Sequence, residues 1–531
     1  MKRLLFCAII GFIPVSGYTQ PGSSKVQSSW QQRVDHNISV SLDDSQHLLR
    51  GDEMVSYTNN APQALQEIWF HIYGNAYEKS RTALGRQQIL NSNNKFFLAS
   101  EEDRGGYKNL SFQAGGRELT WNYHPEYRDI VKLLLPEPLS PGQKLDILVK
   151  FTLKIPGQFS RFGHDGKSYQ ITQWFPKPAV YDVNGWNTFP YLDQGEFYYE
   201  YGRYNVNITL PASYIVAATG VLQDTLLRKK MLALAEGNDW NDSNGYHTWH
   251  FIQDSIHDFA WFCDKRFKAR RAVCTLLSGK KVETWVLAAN RRPETKNLDD
   301  LKEALTYYSR RVGDYPYQLC TVVETALKSG GGMEYPMITN VQSLSREVIV
   351  HEVGHNWFQG MLGSQERQYP WMDEGINSYY EHQCVRYYHP SAKKSNNLLD
   401  FNGAGSRDFA LSMLNTGEYL PPGLPAEAYG NLSYGSIIYG HAQNLLRHLE
   451  EYLGRKLFDS CMKTYFQEWA WKHPLPGNMR STFEQVSGKN LEWWFESLLN
   501  ERSSNDYAIC KVSRNPGDTG TTVTIRNRKG Y

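Results

Sequence analysis

The 531-residue chain has few cysteines, no long apolar run beyond its first residues and no block of a single charge. Of seven cysteines, Cys7 falls in the opening apolar stretch. The other six (Cys263, Cys274, Cys320, Cys384, Cys461 and Cys510) are scattered without one CxxC pair. That scatter excludes a disulfide framework as the organising principle. A chain this long buries a core without staples, and one incidental bridge, such as Cys263 with Cys274, is compatible with export. Basic residues number 57 and acidic residues 55, a formal charge of +2, and the densest basic patch is only RFKARR (266–271). No nucleic-acid partner is expected from that balance. No repeat recurs at solenoid periods. Past the N-terminus no stretch is apolar for long enough to cross a bilayer, so the mature chain is expected to have no transmembrane segment.

The N-terminus, MKRLLFCAIIGFIPVSGYTQ, has a short basic region, an apolar core from Leu4 to Val15 and small residues near Gly17. It reads as a secretory signal peptide (1–17), which makes the protein exported, to a periplasm or the extracellular space. Hydrophobic residues at 41% and charged residues at 21% describe a folded chain, and its length calls for two or three domains. Residues 25–278 read as strands. KLDILVKFTLKIP (144–156) and YNVNITLP (204–211) alternate apolar and polar residues at period two. EGNDWNDSNGY (236–246) reads as a polar hairpin loop. Residues 279–500 read as mainly helical, with helices expected near 296–313, 345–362, 371–390 and 439–454. Residues 501–531 turn polar and end in TTVTIRNRKGY, which reads as the start of a further, incomplete β domain. The fold class is α+β: an antiparallel β domain, then a helical one.

The chemistry is concentrated in HEVGH. On a helix His351 and His355 stand four residues apart and project from one face, so their imidazoles can take adjacent corners of a tetrahedral zinc site. Glu352 lies beside them, within reach of a water on the metal. The helix around the motif is apolar, and buried carboxylate and imidazole groups are costly without a partner. Glu374 follows after eighteen intervening residues at the start of the next helix and is a natural third ligand, leaving a fourth position open. Upstream, SGGGMEYPM (329–337) strings glycines directly before Glu334. Glycine loses the most backbone freedom on ordering, so such a run suggests close approach of another backbone.

HEVGHNWFQGMLGSQERQYPWMDEGINSYYE resembles the zinc core of the aminopeptidase N family, gluzincins related to the leukotriene hydrolases, and GGMEY resembles that family's GxMEN motif. The resemblance runs from about residue 30 to 500 and is strongest over 329–384. It implies a saddle-like N-terminal β domain, a thermolysin-like catalytic domain and one Zn2+ per chain on His351, His355 and Glu374. It makes Glu352 general base and then general acid. Glu334 would hold the free α-ammonium of a peptide, with Gly331, Gly332 and Met333 along its backbone. Tyr439 would stabilise the tetrahedral oxyanion, with Tyr434 the alternative. Gln173, in ITQWFPKP, would assist at the amine. Tyr335 departs from the motif's Asn. The implied activity is that of an aminopeptidase acting on peptides with a free N-terminus. An endopeptidase on the same core and a non-catalytic peptide-binding relative are the alternatives, and oligomeric state is not legible.

Overall fold

The computed structural model describes residues 30–289, 291–326, 331–391, 419–499, 507–514 and 521–527. The stretch expected to be a signal peptide (1–17) and the first part of the glycine run, 327–330, lie outside them.

The architecture is α+β, β half first. Period-two alternation becomes half-buried strand: Lys144–Lys154 buries Ile147, Val149, Phe151 and Leu153 and turns the intervening residues outward. This strand belongs to an eight-stranded sheet whose centre is Gly202–Pro211, Arg33–Asp43, Leu48–Thr58 and Lys144–Lys154, in that order. Two four-stranded sheets pack with it. Helical elements also escaped the alternation reading, among them Ala83–Leu90 and a longer one. Thr225–Glu236 is a helix, α1, capped by Asp224, whose carboxylate accepts from the Leu227 N–H at 2.7 Å, and ended by Gly237 at φ +110°. The polar segment after it therefore joins a helix to the strand Tyr246–Ile256 and is not a hairpin loop.

The second half begins with a five-stranded sheet in the order Lys268–Thr275, Lys281–Ala288, Leu319–Glu324, Ile338–Val341, Gly332–Tyr335. Its first strand lies ahead of the expected boundary at 278. Its last strand carries the GMEY sequence and forms the sheet edge. Helices follow: α2 (Thr295–Arg311), α3 (Arg346–Gly354), α4 (Glu374–Tyr388), α5 (Ala442–Leu453), α6 (Arg455–Trp469) and α7 (Pro476–Ser487). The helix expected over 345–362 is shorter than its apolar pattern suggests. It ends at Gly354, because the chain must reverse there to return Glu374 to the same site; Gln359 at φ +82° lies in the reversal. A two-stranded ladder, Tyr507–Arg514 with Thr521–Asn527, ends the described chain. Among the described residues no helix is long and apolar enough to cross a membrane, and the cysteines are free thiols.

One apolar cluster spans both halves, from Ile38 and Leu153 to Leu446 and Phe495. Polar ties cross the same seam. Tyr201 donates to the carbonyls of Gly360 and Met361 at 3.1 Å, and Gln194 donates to the Ala426 and Tyr429 carbonyls at 2.6 and 2.8 Å.

Several imidazoles are trapped neutral in this interior, His71 and His257 among them. Burial, with the Lys177 ammonium adding to it, pushes His71 down to about 3, and burial pushes His257 down to about 4. Both return to about 6.5 in the unfolded chain, which therefore binds more protons below that pH. Stability is full above about pH 6.5 and is lost progressively toward pH 4. The thermal midpoint should fall across that window, and His71→Phe, which keeps the stack on Tyr73, should flatten the fall.

Candidate metal centre and peptide cleft

α3 and α4 pack side by side, and three side chains meet between them. His351 Nε2 lies 3.1 Å from His355 Nε2, His351 Nε2 lies 3.2 Å from Glu374 Oε2, and His355 Nε2 lies 3.3 Å from the same oxygen. Ligand atoms at ~2.0–2.1 Å around a tetrahedral zinc stand ~3.3–3.4 Å apart, so this near-equilateral triangle has the required size.

The far side of each imidazole is held. His355 Nδ1 is 2.5 Å from Asp373 Oδ1, and His351 Nδ1 is 3.2 Å from Glu381 Oε2. A carboxylate on Nδ1 places the ring proton there and leaves Nε2 with its lone pair facing the centre. Three lone-pair atoms then face one point with no proton among them. Burial acts to lower the His351 imidazole, yet Glu374 and Glu381 overcome it and raise it to about 10. Against its own burial, Glu374 is held well below the usual carboxylate range by His355 and His351. The triad requires a cation and takes a proton in the absence of another. These donors and spacings fit zinc.

The centre opens on a cleft of about 700 Å³. One wall is α3, whose Glu347, Val348, His351, Glu352 and His355 all line it, as the helical period dictates. The opposite wall is the edge strand Gly332–Tyr335. A Cβ on Gly332 would lie 2.3 Å from Glu352 Oε1, so glycine is required there because the Glu352 carboxylate lies against the backbone. At Gly331 a Cβ would meet no protein atom within 4 Å. The fold places no such demand on that glycine. Strand alternation then puts Glu334 on the same side as Gly332, in the cleft, and turns Tyr335 away toward Phe262, 6.3 Å between ring centroids. The departure from the GxMEN motif thus falls on the side away from any bound peptide. The turn behind it is fixed by Pro336 and by Met337 at φ +67°, whose N–H donates to Asn356 Oδ1 at 3.0 Å.

Glu334 and Glu352 each keep one buried carboxylate oxygen without a hydrogen-bond donor. Burial pushes both up to about 8, with Glu196 adding to the effect at Glu334 and Glu334 adding at Glu352. Both are carboxylates lacking a cation. Tyr439 donates to Glu374 Oε1, the oxygen turned away from the triangle. Tyr434 and Tyr439 both line the cleft although five residues apart. An α-helix would splay them by about 140°. The segment Gly435–His441 is π-helical, and its widened turn brings both phenols to one side.

Gln173 does not line the cleft. It sits in the β interior at φ +52°, donating to Asp258 at 2.5 Å and accepting from Lys177 at 2.7 Å. The β half contributes Glu196 and Arg161 instead, paired through both guanidinium nitrogens at 2.5 and 2.6 Å. Neither was read from the sequence. They come from separate loops with no local motif. Glu381 had a signal, two helical turns after Glu374 on one face of α4.

Comparison with known proteins follows this geometry. Residues 297–498 match the model of the peptidase family M1 domain. That span contains α3 to α7 and all three corners of the triangle. Curated M1-type relatives include Aminopeptidase M1-B of Oryza sativa subsp. japonica, 23% identical over 179 residues, which are 33% of this chain and 19% of that protein. The puromycin-sensitive aminopeptidase of Caenorhabditis elegans is 20% identical over 269 residues, 48% of this chain and 28% of that one. Aminopeptidase N of Lactococcus lactis is 25% identical over 156 residues, 29% and 18%. The matches span less than a third of each of these relatives. Among solved structures, the M1 zinc metallopeptidase of Deinococcus radiodurans superposes with a TM-score of 0.59 at 15% identity, covering 90% of this chain and 96% of that one. A mutant of that protein bound to a Tyr-Ser-Ala substrate gives 0.60, with 91% and 96% covered. These likenesses establish the two-domain M1 fold.

Asp373→Ala frees the His355 ring and its tautomer. Zinc affinity, measured by chelator competition, should fall ~10–100-fold while the helical circular dichroism is retained.

Proposed function

We propose that this protein is a zinc-dependent aminopeptidase, binding one zinc per chain and releasing the first residue of peptides with a free N-terminus. The observation that carries the reading is the pair of buried acids, Glu334 and Glu196, lining the cleft beside the metal triad. Two buried carboxylates and one guanidinium leave a net negative charge, which an α-ammonium would neutralise. The leader at 1–17 supports an exported enzyme, and cleavage after Gly17 is checked by N-terminal sequencing of secreted protein.

His351, His355 and Glu374 would hold zinc, which, when bound, serves as a Lewis acid and lowers the pKa of water to about 7. Glu334 anchors the ammonium and thereby fixes which peptide bond reaches the triad. The edge strand Gly332–Tyr335 has one side free, and an extended peptide would lie along it as an added strand. Gly331 gives that backbone room. Glu352, held against Gly332, takes the proton from the attacking water and passes it to the departing amine. The Tyr439 hydroxyl, which lines the cleft and donates to Glu374 Oε1, would turn from that carboxylate to the oxyanion as charge develops. Asp373 and Glu381 keep both imidazoles oriented throughout.

N-acetylation of an aminoacyl amide substrate removes the charge that Glu334 reads, and its hydrolysis should drop at least ~100-fold, the scale of a lost charge-assisted contact in a buried site. Equal rates on the free and acetylated forms would refute the aminopeptidase reading. Tyr439→Phe should lower kcat ~100-fold or more with zinc content unchanged, since a lost oxyanion donor costs about 3 kcal/mol. Glu352→Gln should likewise retain zinc and lose turnover. Normal turnover in the Phe variant would move the oxyanion role to Tyr434.

A further inference from the structure

The cleft has a direction. Glu334 lies at the His355 end: ligand atoms of Glu334, Glu352 and His355 all fall within 4.8 Å of one another, and among the described residues no such group joins Glu334 to His351. Gly332 lies farther back along α3, against Glu352. A peptide anchored by its ammonium at Glu334 therefore passes the metal triad and leaves toward the N-terminal end of α3. There the cleft wall is Val348 and Glu347.

Glu347 stands one turn before His351 on the same helix face. It is exposed, and among the described residues no ion pair involves it. Its neighbour Arg346 is committed elsewhere, with Nε 2.8 Å from Asp300 Oδ1. One helical turn is ~5.4 Å, and an extended peptide advances ~3.4 Å per residue. The Glu347 carboxylate thus falls beside the second or third residue of the substrate, just past the bond to be cut. The wider cleft has the same sign. Asp193, Glu196, Glu334, Glu347, Glu352 and Glu374 line it, and among the described residues Arg161 is the one Lys or Arg that does. The chain as a whole is close to neutral at +2, so this is a local field.

We infer that Glu347 is a specificity determinant on the leaving side of the cleft, selecting substrates with a lysine or arginine at the second or third position. The inference rests on the aminopeptidase reading and names part of its substrate class. The plain alternative is that Glu347 only complements the helix dipole in the first turn of α3, which would affect stability and not substrate choice.

The test compares kcat/KM for the amidated tripeptides Ala-Lys-Ala, Ala-Ala-Lys, Ala-Ala-Ala and Ala-Glu-Ala at low salt. A neutral aminoacyl fluorogenic amide, uncharged beyond the scissile bond, is the control. The wild-type protein should prefer a lysine peptide over Ala-Ala-Ala about three- to fivefold, as a partly exposed ion pair allows, and should disfavour Ala-Glu-Ala. The preference should fade with added salt. Glu347→Gln should abolish the ranking, and Glu347→Lys should invert it, both within about twofold of wild type on the control. A flat ranking in active wild-type enzyme overturns this inference alone. A ranking unchanged in Glu347→Lys does the same. A zinc-loaded wild-type protein inactive on the neutral control overturns the aminopeptidase reading, and this inference with it.

Discussion

The arrangement of this molecule turns on three atoms that repel one another. His351 Nε2, His355 Nε2 and Glu374 Oε2 crowd within 3.3 Å with their lone pairs converging. Only a cation makes that stable. Much of the surrounding structure can be understood as the scaffold for that triangle. α3 supplies two corners because four residues span roughly one turn, and it stops at Gly354 so that the chain can come back. α4 supplies the third corner from its first residue. Asp373 and Glu381 then prevent either ring from rotating away.

The acids beyond the triangle answer a second constraint. Carboxylates taken out of water must find positive charge or hold their protons. Arg161 satisfies Glu196 through both nitrogens, but Glu334 and Glu352 have no such partner. On the proposed reading, their need is met by a substrate ammonium and a metal-bound water from outside the chain, and this incompleteness in charge is what would make the site selective. Gly332 belongs to the same logic, since a methyl group there would push Glu352 out of place.

Legibility from sequence followed the range of the interactions. His351, His355, Glu352 and Glu374 were readable because helical spacing is local and leaves a fixed imprint. Strands such as Lys144–Lys154 were readable for the same reason, at period two. α1 was missed although Leu227, Met231 and Leu234 recur at helical spacing, because it is a short insertion between strands that set the period-two expectation. The end of α3 was misjudged because apolar residues continue past it into a buried reversal. Gln173 was placed in the cleft on a motif, and the fold buries it with Lys177 and Asp258. Glu196 and Arg161 meet only when two β-domain loops close over the helical half, and nothing in either stretch announces the other. Tyr439 was found by pattern, yet the reason it shares a side with Tyr434 is a widened helical turn that no spacing rule anticipates.

The apolar cluster that runs unbroken across the two halves has a mechanical meaning. Sliding or hinging one half against the other would expose side chains such as Tyr199, Phe358 and Trp357 that are packed in its interior. Exposing each such side chain costs about 1.5–3 kcal/mol, which opposes motion of that kind. The cleft is lined from both halves, by α3 and Gly332–Tyr335 from the second and by Arg161 and Glu196 from the first, and the shared core holds these linings at a fixed separation. On the aminopeptidase reading, a cleft of fixed width makes chain thickness a criterion for entry, favouring an extended single strand over a folded segment.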